Sequence, residues 1–216
     1  MTEPPAVANP DAAVSPEFAE LASDDRRQGR SGARTQRHPA AARRHRCRRA
    51  GLVGSLLTGG AEVCKNTSQT LEAIGVADDI ERSGRYQPLR LRLYRMDREM
   101  QRREMRTLAA SPDYVVGSLH ALTEGGSLLI ASASGSQLGP LVSGAGHVIL
   151  VIGAQKIVPD VATGLRRIYE YCYPLEDARA RRVYGVPSGV NNILIINNAI
   201  TPGRVTAIIV NERLGS

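Results

Sequence analysis

Three uninterrupted apolar runs constrain this chain most: Tyr114–Val116, Ser127–Ala131 and His147–Ile152. None alternates apolar and polar residues, as a strand with one wet face would. Short runs that are apolar at every position, bounded by Gly and Ser, read as strands buried on both faces. The implied fold class is α/β: a single domain with a mostly parallel sheet covered by helices. Polar, Gly-rich turns follow the runs, and in open α/β sheets ligands bind at the carboxyl ends of the strands. The core and the expected site therefore share the stretch from Tyr114 to Pro159.

A chain of 216 residues suits one such domain. Residues 1–25 carry six acids and no base and read as a disordered acidic tail, in which Glu17 to Leu21 can begin a short helix. The net charge of +7 is concentrated in one block, with ten Arg and no acid from Arg26 to Ala50. Residues 26–59 show no reliable helical or strand period. They can be an arginine-rich arm for an anionic surface, a disordered linker, or a segment read out of frame. The chain uses 26 Arg but only two Lys, Lys65 and Lys156, as a GC-rich gene would, and the out-of-frame reading is preferred over a binding arm. No sequence-specific nucleic-acid contact is expected. With no Trp and one Phe, aromatics are scarce, which disfavours stacking platforms for single strands.

Cys47, Cys64 and Cys172 are scattered, which argues against a disulfide framework and against a zinc or iron–sulfur site. No metal site or cofactor is evident. No run of about 18 apolar residues exists, so no membrane span is expected, and a soluble cytoplasmic protein is the default. Residues 60–216 form the expected domain. Ala61–Cys64 is strand-like, and Leu71–Ile74 is helical, stopped by Gly75. Met96–Ala110 reads as a helix with Met96, Met100 and Leu108 on a buried side. Asp160 caps a helix whose stripe is Val161, Leu165, Ile168, Tyr169 and Cys172. Pro174 breaks it, and Glu176–Tyr184 forms another. Ile193–Ile196 and Val205–Val210 are expected to pair as an antiparallel hairpin, because Asn197–Arg204 is too short for a parallel crossover.

Three loops are candidates for binding a small anionic metabolite. In Asn66–Thr70, hydroxyls of Thr67, Ser68 or Thr70 can cap a helix or leave backbone N–H groups for an anion. In His120–Ser127, His120 and Glu124 lie one helical turn apart, and Gly125 and Gly126 allow close backbone approach. A hydrogen-bonded histidine near the surface is preferred for His120, and a carboxylate tying a tight turn stands equally for Glu124. Ser132–Gln137, with Ser134, Gly135, Ser136 and Gln137, is either a phosphate cradle or a solvated turn. It lacks the Walker and dinucleotide glycine patterns. Lys156 can add charge at the same rim, although a solvated lysine is preferred.

Gly117-x-x-x-Ala121-x-x-Glu124-x-Gly126-Ser127, then Gly153-x-x-Lys156-Ile157-Val158-Pro159, resembles the LUD (lactate utilisation) domain family, in its LutC-like form. Thr67–Gly75, Asn191–Asn197 and Pro202-Gly203-Arg204 extend the resemblance over roughly residues 60–216. It implies a fold like that of ribose-phosphate isomerase, glucosamine-phosphate deaminase and the CoA transferases. It also implies a role in L-lactate oxidation beside iron–sulfur partner proteins. Two functions follow from it: a non-redox accessory or ligand-binding component, or an enzyme, either an acyl or CoA transferase or one catalysing another reaction on a phosphorylated or carboxylated metabolite, with Glu124 as nucleophile or base.

Overall fold

The computed structural model describes residue 18 and residues 46–216. The acidic tail apart from Phe18, its short helix, and the Arg-rich block up to residue 45 lie outside the described residues. The end of that block does form an element where no period was legible: helix α1, Arg46–Gly54. Beyond its first turn it drops Val53, and then Leu57, into the core beside Ile80 and Tyr86.

The chain then builds strand β1 (Glu62–Lys65), helices α2 (Gln69–Ala73) and α3 (Val76–Arg82), and the short β2 (Gln87–Pro88). Helices α4 (Leu89–Arg95) and α5 (Arg102–Ala110) lead into β3 (Tyr114–Gly117), β4 (Ala121–Thr123) and β5 (Leu128–Ser132). A π-turn at Pro140–Gly144 precedes β6 (His147–Gly153), and a single 3₁₀ turn, Ala154–Lys156, joins it to β7 (Ile157–Val158). Helix α6 (Val161–Arg167) runs through a second π-turn, Ile168–Cys172, into α7 (Tyr173–Tyr184), before β8 (Asn192–Ile196) and β9 (Val205–Val210).

Two sheets result. Strands β2-β1-β3-β6-β9 form a five-stranded sheet, and β7-β4-β5-β8 form a four-stranded one. Every pairing in the first is parallel. The second is mixed, with β5 antiparallel to β4 and β8. The continuous apolar runs follow from this arrangement. Along β6, Ile149 and Val151 face one core with Val63, Val116, Leu71 and Ile80. Val148, Leu150 and Ile152 face another with Val115, Leu128 and Ile130. Strand side chains alternate sides, and here both sides are dry. Helices α1 to α3 cover the first face. The second is covered by the four-stranded sheet, whose own outer side packs Ala121, Leu129 and Ala131 against Ile168 and Leu165. The molecule is thus helices, parallel sheet, mixed sheet, helices, with helices on the outside of both sheets.

Several sequence expectations need correction. Ile193–Ile196 and Val205–Val210 are not a hairpin. β8 pairs antiparallel with β5 and β9 parallel with β6, so Asn197–Arg204 steps between sheets and needs no crossover within one. Helix α5 starts only at Arg102 and buries no residue, while Met100 is 85% exposed. Its charged side chains are a solvated face, as expected. Tyr169 is also exposed, outside the stripe that buries Ile168 and Cys172. Pro174 does not break the helix. It sits in the first turn of α7, where no N–H is required of it. Asp160 does cap α6, accepting from Thr163 N at 2.7 Å. No helix among the described residues is long and apolar enough to cross a membrane.

Candidate functional site

β1, β3 and β6 all end at one rim of the parallel sheet. After β1, Asn66 N donates to Val116 O (2.9 Å), which brings the Asn66 side chain over Gly117. A Cβ on Gly117 would meet Asn66 Nδ2 at 2.9 Å, so a larger residue there would displace the Asn66 side chain. Asn66 Nδ2 itself is buried and has no partner among the described residues. Ser68 is the helix cap, accepting from Leu71 N (3.4 Å), and Thr67 accepts from Arg90 Nη1 (2.6 Å). Thr70 is buried and points across the rim.

Lys156 corrects its sequence reading. It is 3% exposed rather than solvated. Held on the turn after β6, its ammonium donates to Thr70 Oγ1 (3.2 Å), Ser118 Oγ (3.2 Å) and Leu119 O (3.1 Å). All three acceptors are neutral. Burial, reinforced by the nearby Arg167 guanidinium, brings its pKa down to about 7. The other lysine, Lys65, has an ordinary arrangement, an ion pair with Glu81 at 3.2 Å.

Arg167 ends α6 and is fully buried. Gly164, one turn earlier, allows the helix to lie this close, since a Cβ there would meet Leu129 Cδ2 at 2.8 Å. Nη1 of Arg167 donates to His120 O and to Cys172 Sγ, and the guanidinium lies 5.0 Å from the Tyr171 ring centroid. Its Nε and Nη2 are buried without a partner among the described residues. Successive carbonyls, Leu119 and His120, thus hold two cations where the chain passes from one sheet to the other.

His120 is half-buried and hydrogen-bonded: Nδ1 accepts from Ala131 N (3.1 Å), which leaves the proton of the neutral ring on Nε2. Burial first, then the charges of Lys156 and Arg167, push its pKa down to about 3, so it is neutral at physiological pH. Burial also raises the Cys172 thiol above its ordinary value, against the pull of the two cations.

The chain's own Leu214–Gly215 segment crosses this rim. Gln155 grips it through Nε2 to Leu214 O (2.9 Å) and Gly215 O (3.1 Å), and through Oε1 from Leu214 N (3.2 Å). Thr70 Oγ1 donates to Leu214 O at 3.1 Å.

The other candidates lie in two turns of the mixed sheet. Glu124, Gly125 and Gly126 make the β4–β5 hairpin turn. Gly126 has φ +92° and donates to Thr123 O (2.9 Å), while Glu124 N donates to Val158 O (2.8 Å). Leu122 pairs with Ile157, so Glu124 lies three residues along the strand from the position opposite Lys156, roughly 10 Å at the usual rise. Ser132–Gln137 is occupied with itself and with β8. Ser134 and Ser136 bond each other (3.0 Å), Gly135 N donates to Ser132 Oγ (3.0 Å), Gln137 Nε2 donates to Ala131 O (3.2 Å), and Asn191 Nδ2 donates to Ala133 O (3.0 Å). The structure therefore gathers Asn66, Thr70 and Lys156 with His120 nearby. It leaves Glu124, Gly125 and Gly126 at the far end of β4, while the turn that carries Ser134, Gly135 and Gln137 abuts His120: Gln137 donates to Ala131 O, and Ala131 N donates to His120 Nδ1.

Sequence reasoning missed Ser118, Gln155, Arg167 and Cys172 as members of the cluster. One signal was available for Arg167: it shares a helical face with Gly164, Ile168 and Tyr171. An open groove of about 490 Å³ lies at the opposite end of β1, lined by Glu62, Gln87, Leu89, Arg92 and Met96. Its charges Arg92 and Glu62 pair at 3.3 Å. It holds no member of the buried cluster, and chemistry favours the cluster over the groove.

The LUD domain matches residues 40–210 of the chain, beginning inside the Arg-rich block. Four solved chains match. Among them is the crystal structure of a DUF162 family protein from Deinococcus radiodurans, similar at 12% identity over 78% of this chain and 100% of that one, with a TM-score of 0.36. No curated protein matches.

Proposed function

The chain belongs to the LUD domain family, and from that premise we propose that it serves L-lactate utilisation as a binding component for a small carboxylate, held at Lys156. The observation that carries this reading is a buried ammonium whose hydrogen-bond partners are all neutral. An unpaired buried charge is costly. A bound carboxylate would neutralise Lys156, and Thr70 and Ser118 would add hydroxyls beside it. The rim of a parallel sheet is where such a ligand is expected. Electron transfer belongs, on this reading, to iron–sulfur proteins of lactate oxidation that act as partners.

The test is calorimetric titration of the full chain with sodium L-lactate, pyruvate and phosphate at pH 6.5, paired with the Lys156→Met variant. L-lactate or pyruvate should bind and the variant should lose that binding. Equal binding by both proteins would sink the reading. Binding should also weaken as pH rises above about 7, because free Lys156 then gives up its proton.

A further inference from the structure

The free side of Arg167 says more about the ligand than Lys156 does. A guanidinium presents two flat pairs of donors. On Arg167 the Nη1 position is taken by His120 O and Cys172 Sγ. The two nitrogens left without partners, Nε and Nη2, are neighbours on one edge. That edge matches the two coplanar oxygens of a carboxylate, which accept in parallel.

Among the described residues nothing pairs with this edge. Arg167 is 0% exposed, so bulk solvent does not reach the edge. Its described hydrogen-bond partners include no carboxylate. The helix is disrupted immediately after it by the Ile168–Cys172 π-turn, a feature that often marks functional sites. Gly164 brings this helix onto the mixed sheet, and the Tyr171 ring lies against the guanidinium. A tetrahedral phosphate would leave oxygens buried beyond the reach of this one edge, and a halide would use a single point where two donors stand in parallel.

We propose that the Nε–Nη2 edge of Arg167 is a carboxylate-binding subsite that selects small monocarboxylic acids over phosphate. The subsite deepens the binding function proposed above, and it rests on that reading for the cluster being a ligand site at all. Lys156 supplies charge, and Arg167 supplies the geometry. Because the edge is enclosed, entry requires a local opening, which favours short acids such as formate, acetate and propionate over longer chains.

The experiment follows the Arg167 Nε–H resonance of the ¹⁵N-labelled full chain during titration with sodium formate, acetate, propionate, hexanoate and phosphate. Its assignment comes from its loss in Arg167→Lys, a variant that keeps the charge and removes the fork, with Arg167→Gln as a second variant should the first not fold. Acetate should shift the resonance in a saturable way, phosphate and hexanoate should not, and Arg167→Lys should weaken acetate binding at least tenfold. A resonance unmoved by every carboxylate overturns the proposal, as does acetate binding that survives Arg167→Lys unchanged. If Lys156→Met abolishes binding while Arg167→Lys does not, the subsite falls and the binding function stands. If acetate shifts Arg167 while L-lactate and pyruvate bind nowhere, the subsite stands and the lactate link falls.

Discussion

The Gly- and Ser-rich turns and the buried cation cluster make opposite use of their polar groups. In the turns, donors and acceptors close on their own segment or on its strand neighbours: Ser127 N donates to Thr123 Oγ1 (2.8 Å), and Ser136 N to Ser134 Oγ (3.4 Å). In the cluster, two cations and one amide are buried with donors left over or with only neutral partners. A turn that satisfies itself has nothing left for a ligand. A buried group that does not is costly to the fold, and function is the usual reason such a cost persists.

The sharpest test of this contrast is a pair of substitutions. Lys156→Met should cost about 100-fold or more in carboxylate affinity, the scale seen when one member of a buried charge pair is removed. Glu124→Gln should leave affinity within about twofold. Calorimetry on both variants decides it, and the reverse order would move the site to the hairpin.

Stability against pH comes next in size. The folded pKa of His120 lies below its unfolded value, so the unfolded state takes up the extra proton between about 6.5 and 3. Stability should fall on acidification through that window. Lys156 is likewise depressed, from 10.5 to about 7. The unfolded state again holds the extra proton, so stability should rise from about pH 7 towards 10.5. Urea unfolding across pH reads both windows, and Lys156→Met should flatten the upper one and narrow the lower, because the Lys156 charge helps to depress His120. A wild-type protein with flat stability from pH 7 to 10 would mean that Lys156 is hydrated.

Smaller effects probe the turns. Gly126→Ala forces a Cβ onto a backbone at φ +92° and should cost about 1–2 kcal/mol, with no change in ligand affinity. Ser134→Ala removes an exposed hydroxyl pair and should change stability by less than about 0.5 kcal/mol. A loss of binding in either variant would restore the turns as site elements.

The strands at Tyr114, Leu128 and His147 were legible because burial on both faces removes the polar alternation that any other strand shows. What covers each face was not legible. An apolar side chain reads the same whether it meets a helix or a second sheet, and for that reason the mixed sheet and the parting of β8 from β9 went unseen. At the site, Lys156 was visible as one of only two lysines, but its burial depends on three chain segments meeting. Arg167 was hidden among 26 arginines. Only the close approach at Gly164 makes it different from Arg166, which is exposed and pairs with Glu170 at 3.0 Å. The glycines and serines of the turns could not be assigned a role from sequence, since these residue types serve tight turns and ligand loops equally well.

The pairing of β6 with β9 also bears on how the protein is made. β6 finishes at residue 153, and its neighbour begins only at residue 205. At translation rates of about 5–20 residues per second, the most apolar strand leaves the ribosome roughly 3–10 s before the partner that will cover its edge. During that interval a long, uncharged edge is open to other nascent chains. Yield in the cell should therefore depend on chaperone supply and on translation speed between residues 153 and 205, and slowing synthesis there should increase aggregation even though the finished fold is unchanged.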